Sequence, residues 1–444
     1  MKNLKRIICT VAVLMMAVHA NAQLTDWPHK DLVDVTENAA KEVTNYQVLL
    51  TFFLTVNTQA LISANKMDAA GNDIRFAKDC EGLTLYNYWI ESGINTSATK
   101  IWVMIDTLNS NQTRSFYMFY GNATATAESN FANTFPDAVI ATSTTTLTGV
   151  NNVSWYEIPA GVTPTIVPGT PVVINARKII IAGTLNGNGA GYTGGATGTN
   201  GSGPGAGEVS SGNNGTYGAG GAGYGGNGGT GGGAGATATS ANVGQAGLAY
   251  GTLNTDTIIM GSGGGGSNSG GAGGAGGAAI TINGDVVDIA ATGIINVNGS
   301  DGVQALLNGA GGGGAGGGIK INGNEITFNG TLNANGGNGQ SGGYGSGGGS
   351  GGRIKIFSDA TFTNAGSMSV TGGIEGSVNN ETVLQMPGEI GTTFTGSYTS
   401  GVPTSLISPV TLPTLTTTNS TCSGSDITFT VSNYSGSASM SVTL

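Results

Sequence analysis

The sequence predicts an all-β protein: an N-terminal antiparallel β-sandwich, a glycine-rich parallel β-solenoid, and an incomplete immunoglobulin-like β module. Three observations carry this expectation. Short apolar segments with alternating Ile, Val, Leu or Phe recur from Val172 to Gly376, closed by Asn-Gly or Gly-Gly turns. Aromatic residues gather instead before Val139, in segments with period-two alternation. The last stretch, from Asn419, again has strand-like alternation after a Thr/Pro-rich spacer.

In chain order, Met1 to Ala22 carries Lys2, Lys5 and Arg6, an apolar run from Ile7 to Val18, and small residues at Ala20-Asn21-Ala22. This is the pattern of a signal peptide cleaved near Ala22, and it predicts an extracellular or cell-surface location. No later segment approaches the ~20 apolar residues of a membrane helix. Removing the three leader cations takes the formal charge from −10 to −13. An acidic chain disfavours nucleic acid and anionic membranes as partners, leaving extracellular polysaccharide or surface proteins. The two remaining cysteines, Cys80 and Cys422, lie in segments of different character, which leaves a disulfide between them open without indicating one, and the framework of a small disulfide scaffold is absent.

Residues 23–140 form the predicted sandwich. Gln47 to Val56 sets Val48, Leu50, Phe52, Leu54 and Val56 on one strand face; Lys100 to Ile105 sets Ile101, Val103 and Ile105 against Trp102 and Met104. Asp73 and Arg75, two apart on a strand, are expected to form an ion pair. Tyr86, Tyr88, Trp89, Trp102 and Tyr117 supply flat rings that would stack on sugars, or equally the core and cross-strand pairs of a sandwich. Asn72, Asp73, Asp79 and Glu81 offer oxygens for structural calcium, but no ordered ligand spacing indicates such a site, and no cofactor is expected. With His29 beside Pro28 as its one mature histidine, the chain contains no Ser-His-Asp set and no His-based metal motif.

Several phrases of this segment resemble one family. Trp27, Lys66 to Phe76, Leu85 to Glu91, Ile101-Trp-Val103 and Phe116 to Asn122 are similar in order and spacing to domain of unknown function 2341, with Phe135 as its closing aromatic. The resemblance implies a concanavalin-like β-sandwich of secreted and surface proteins of bacteria and archaea, and no reaction. Pro28-His-Lys30 departs from the family's opening Tyr/Phe-Arg pair.

Residues 141–171 read as a linker and an entry cap, with Trp155 to Val173 as capping strands. The solenoid is expected over 172–380. Ile174 to Gly189 and Ile321 to Gly336 align without a gap, and Ile282, Ile321 and Ile356 are equivalent positions 39 and 35 residues apart, with Ile174 lying 108 residues before Ile282. Such units bury their apolar face by stacking. Between and after them, 68 of the 81 glycines fall in 183–376, with Pro204 as the one proline and no Gly-X-Y period, which excludes collagen. The glycine runs are expected to leave the solenoid wall as surface loops. The alternatives are close-packed extended backbone, including bundled extended helices similar to those of some tip adhesins, and a hidden coil beginning at Thr257-Ile-Ile-Met260. The region also resembles glycine-rich β-helical repeats of bacterial surface proteins.

Residues 381–418 form a Thr/Pro-containing spacer. Asn419 to Val431 resembles the opening of immunoglobulin-like repeats in secreted proteins of the Bacteroidetes type, and only about 25 of the ~100 residues of such a fold are present, so 419–444 reads as a truncated module. The function expected from these parts is a secreted or cell-surface structural or adhesion protein without catalysis. The alternatives are a lectin-like carbohydrate-binding protein and a β-helix enzyme cleaving polysaccharide. The charged residues of the repeats, Arg177, Lys178, Asp285, Asp288, Lys320, Glu325, Arg353 and Lys355, are scattered through different copies.

Overall fold

A computed structural model describes residues 24–37, 40–51, 57–211, 217–233, 239–253, 255, 257–268, 270–305, 308–377, 382–397 and 414–416. The expected leader, the immunoglobulin-like segment from Asn419, and Phe52, Leu54 and Val56 lie outside these residues. The chain divides into two compact units, one comprising the residues up to Pro136 together with C-terminal residues and one beginning at Asp137. Antiparallel sheets build the first and parallel sheets the second.

In the first unit, β1 (His29–Thr36), β6 (Thr113–Tyr120) and β3 (Arg75–Ala77) form one antiparallel sheet. The others, β2 (Val43–Thr51), β5 (Lys100–Leu108) and β4 (Asn87–Ser92), form a second. A short strand, Thr414–Thr416, pairs antiparallel with β1, with Leu32 opposite Thr416. Alternation sends Val33, Val35, Val48, Leu50, Ile101, Val103, Ile105, Phe116 and Met118 into one core shared by both sheets. Helix α1 (Thr58–Ser63) is capped by Asn57, whose side chain accepts from the Ala60 amide at 2.7 Å. Helix α2 (Phe131–Thr134) covers the outer face of the second sheet, burying Phe135 and Trp102 to 1% exposure each. Cys80 is disulfide-bonded, and its partner cysteine lies outside the described residues.

The second unit starts earlier than the repeats suggest. The last two residues assigned to the sandwich form β7 (Val139–Ile140), residues expected to be linker form β8 (Thr146–Leu147) and β9 (Gly149–Asn152), and those expected to cap form β10 (Trp155–Ile158) and β11 (Thr165–Ile166). These strands enter the same parallel sheets as β12 (Val172–Ile181) and β13 (Thr184–Asn186). Then come β14 (Ala279–Ile289), β15 (Ile294–Asn296), β16 (Gly318–Phe328), β17 (Thr331–Asn333), β18 (Arg353–Asn364), β19 (Ser367–Ser369) and β20 (Thr392–Gly396). One sheet runs β20-β18-β16-β14-β12-β10-β7 and the other β19-β17-β15-β13-β11-β8, so each long strand and the short strand after it advance one step along both sheets.

The equivalent isoleucines stack in register: Ile174 beside Ile282, Ile282 beside Ile321, Ile321 beside Ile356. Leu185, Ile295, Leu332 and Met368 form the corresponding ladder of the second sheet. Beside the isoleucines runs an amide ladder, in which Asn175 donates to Asn152 at 2.6 Å, Asn283 to Asn175 at 2.7 Å and Asn322 to Asn283 at 2.6 Å. Amide ladders of this kind satisfy buried side chains along a parallel stack.

The glycine runs do not leave this unit as loops, and Thr257–Met260 is no strand. They pack as extended segments joined sideways by backbone hydrogen bonds. The segment from Gly309 to Gly317 shows the rule. Ala310, Gly313 and Gly316 donate to Tyr344, Gly347 and Ser350; Gly311, Gly314 and Gly317 donate to Val303, Ser300 and Val297; Gly312 and Ala315 donate to Gly265 and Ser262. Its carbonyls accept from three further segments, through Gly271, Gly274 and Gly277, through Ala219 and Ala222, and through Gly337. A bonding direction that returns every third residue is the symmetry of a polyproline II helix, which has three residues per turn and no internal bonds. Six neighbours leave room for no side chain beyond the buried methyls of Ala310 and Ala315. A Cβ on Gly313 would stand 2.0 Å from the Gly337 carbonyl oxygen, and one on Gly314 2.1 Å from that of Ala275. The runs bury their backbone through these lateral bonds, which offset the large ordering entropy of glycine.

Candidate functional site

The five aromatic candidates of the first unit are distributed over three places. Tyr86 and Tyr88 point into the shared core, where Tyr88 meets Phe76 edge-on at 5.3 Å and Tyr86 meets Phe116 at 5.5 Å. Their hydroxyls donate to the Ile74 carbonyl at 2.7 Å and to Asp106 at 3.0 Å, and burial pushes both phenols up to about 12. Trp102 lies on the opposite sheet face beneath α2, 5.3 Å from Phe135, with its indole N–H donating to Glu91 at 2.7 Å. Trp89 is half-buried beside it, 4.9 Å from Phe131. Tyr117, also half-buried, belongs to a separate small cluster with Leu24, Ala77 and Phe119. Tyr86, Tyr88 and Trp102 therefore expose no ring face, and the five do not form a row.

Residues 70–155 match the model of the family described as Domain of unknown function (DUF2341). The match supports the N-terminal resemblance and contains all five aromatics and Phe135. No curated protein and no solved structure matches the chain.

Within the matched segment Asp73 and Asp79 serve the backbone. Asp73 does not pair with Arg75: its carboxylate accepts from the Asp68 amide at 3.1 Å and from the Gly121 amide at 2.7 Å. Arg75 turns the other way, to Glu128 at 3.0 Å and the carbonyls of Ile74 and Thr126 at 2.6 Å each, and stacks on Trp27. A buried guanidinium with five donors is better served by carbonyls on several sides than by a neighbour whose oxygens the turn already uses. Asp79 likewise accepts from the Leu83 and Thr84 amides.

Before the DUF2341 match begins, β1 carries a titratable group that composition alone does not reveal. His29 and Asp31 are two apart and so share a strand face, with His29 opposite Tyr120 in register and their rings 5.3 Å apart. Asp31 is 3% exposed, its Oδ2 has no hydrogen-bond partner, and the Tyr120 hydroxyl bonds its carboxyl group. Burial raises the Asp31 carboxyl to about 7 against the weaker lowering by Tyr120 and Lys66. His29 is lowered by burial and then by Lys66. His29 and this buried acid thus occupy one face of β1, each set against Tyr120.

Arg177, Lys178, Arg353 and Lys355 of the parallel sheets are each held by local partners. Arg177 pairs with Asp285 at 2.6 Å. Lys178 lies over the Trp155 ring at 5.2 Å. Arg353 donates to the carbonyls of Tyr224 and Tyr250, and Lys355 to those of Thr252, Thr255 and Thr257 at 2.7 to 2.9 Å. The last two cations hold the chain that joins two glycine segments.

What the second unit does present is a regular polar face. Leu185, Ile295, Leu332 and their rung mates point inward, so alternate residues point outward in three columns. The first is Thr184, Ile294, Thr331 and Ser367. The second, Asn186, Asn296, Asn333 and Ser369, continues through Thr165 and Thr146 on the other side. The third, Asn188, Asn298, Asn335 and Thr371, is linked by side-chain bonds in which the Asn188 carbonyl oxygen accepts from the Asn298 amide and that of Asn298 from the Asn335 amide, each at 2.8 Å. The sequence signal is the phrase Thr-Leu-Asn-Gly-Asn-Gly at 184–189, repeated as Thr-Leu-Asn-Ala-Asn-Gly at 331–336, which sequence reasoning used for alignment and not for its outward residues.

Proposed function

We propose that the chain is a secreted or cell-surface structural and adhesion protein with no catalytic activity of its own. In this reading, the parallel sheets are a β-solenoid whose coils each send out a pair of glycine segments, and Asn419 onward begins an immunoglobulin-like module. The observation that carries the proposal is the glycine bundle. A large part of the second unit is backbone packed on backbone, which supplies rigidity and almost no functional groups, as a spacer or display element requires. The leader pattern of Lys2, Lys5, Arg6 and the apolar run supports export.

A second reading, carbohydrate binding, is favoured by the uncharged Thr/Asn/Ser columns and not by the buried aromatics. A polysaccharide-cleaving reading requires two carboxyl groups flanking one bond; in the parallel sheets the carboxylate with the closest described cation, Asp285, is held by Arg177. The proposal is tested on cells. An antibody against residues 137–397 is expected to label intact cells, and cells lacking the protein are expected to lose attachment to surfaces. Labelling seen only after permeabilisation sinks the proposal.

A further inference from the structure

We infer that the polar columns of the second sheet form a binding face for an uncharged, extended β-linked polysaccharide lying along the column direction. This deepens the surface-protein reading, on which it rests for the ligand's availability but not for its test. Neighbouring rungs of a sheet are about 4.8 Å apart, and outward residues on one strand are about 6.6 Å apart. The face is therefore a grid of hydrogen-bonding groups at fixed spacing. Of its twelve positions over four rungs, eleven are Thr, Asn or Ser and the other is Ile294. The central column reaches six rungs, from Thr146 to Ser369, about 24 Å from end to end.

Charge decides the class of ligand. None of the twelve positions is ionic, in a chain of formal charge −10, so a polyanion would find no cation on the grid and a net repulsive protein around it. Hydroxyl and carboxamide groups both donate and accept, which matches the mixed donors and acceptors of sugar hydroxyls. Where Asn side-chain oxygens are used by the next rung, as at Asn188, Asn298 and Asn335, the amide hydrogens remain to donate. The rung spacing is close to the length of one sugar unit in an extended β-linked chain, so one polymer repeats its contacts rung after rung. Individually weak bonds gain strength when linked in this way. The half-buried to exposed state of the grid residues leaves them accessible.

The test uses the chain from Gln23 to Leu444 in sedimentation with microcrystalline cellulose, chitin and a neutral β-glucan, and with alginate as the acidic control. The expected result is retention on at least one neutral polymer and none on alginate. Thr331→Glu at the centre of the grid and Ser367→Glu at its exposed end are each expected to weaken retention about tenfold, with unchanged circular dichroism. Val150→Glu, at a position 63% exposed outside the grid, is expected to retain full binding. Absence of retention on every neutral polymer overturns the proposal, as does retention that both grid variants keep. Equal retention on alginate overturns it too. So do a dimer that Thr331→Glu dissociates, which would assign the face to a second copy, and shaping of ice crystals by the chain, which would assign it to a water lattice.

Discussion

Replacing Asp31 by Asn isolates the effect of burying an acid at the end of the first unit's core. The carboxyl rises from 3.8 to about 7 in the folded chain, with burial the dominant cause. A folded-state value above the unfolded one means that the folded chain keeps a proton which the unfolded chain releases. Stability is therefore fully present below about pH 3.8, falls as pH rises, and has lost the whole contribution above about pH 7. At about 1.4 kcal/mol per unit the loss is on the order of 4 kcal/mol, a large part of the 5–15 kcal/mol typical of a domain. Asn has the same shape, retains an oxygen for the Tyr120 hydroxyl, and does not ionise. Urea unfolding of Asp31→Asn and the parent, followed by tryptophan fluorescence, is expected to show the variant more stable by about 2–4 kcal/mol at pH 8 and nearly equal at pH 4. Trp27, Trp89 and Trp102 report on this unit, and Trp155 on the other. A gain of the same size at both pH values, or a loss at pH 8, would refute the assignment of the penalty to ionisation.

Three further outcomes follow from the geometry. Gly314→Ala places a methyl 2.1 Å from the Ala275 carbonyl oxygen, and is expected to destabilise the second unit by about 3 kcal/mol or more, read as a lowered urea midpoint at Trp155; an unchanged midpoint would deny the close packing of the glycine segments. Asn283→Ala breaks the amide ladder in its middle and strands groups of Asn175 and Asn322, an expected cost of about 2–4 kcal/mol, whereas Asn152→Ala at the ladder's end is expected to cost less than about 1 kcal/mol by the same measurement. Lys355→Met leaves three carbonyls without their shared donor, and faster proteolysis within 251–257 is the expected readout.

How much the sequence disclosed depended on whether side chains carried the information. Ile174, Ile282, Ile321 and Ile356 could be aligned from their phrases because each buried ladder needs an apolar residue at the same place, and the register agrees. Val139–Ile140 and Thr146–Leu147 escaped notice because two-residue strands are shorter than any period they could display. The glycine segments were misjudged for a different reason. Their order is a threefold rotation of backbone bonds, and a residue without a side chain writes no such period into the sequence. On the candidate sites, the aromatic rings were legible as strand residues but not as members of three separate clusters. Arg75 was assigned to its nearest acid although its partner Glu128 lies far along the chain. His29 meets Tyr120 only through the pairing of β1 with β6, which no local pattern around Pro28 foretells.

The threefold bonding of the glycine segments also sets how such a region can change its dimensions. A single inserted residue would rotate every later donor by one third of a turn, away from its neighbour, and break the lateral bonds of a whole segment. Three inserted residues restore each direction and lengthen the segment by about 9 Å. Matched triplets in adjoining segments would make the bundle longer with no new side-chain fitting. Length within a bonded segment is thus gained in steps of one turn, and any other number of added residues must be taken up in the turns between segments.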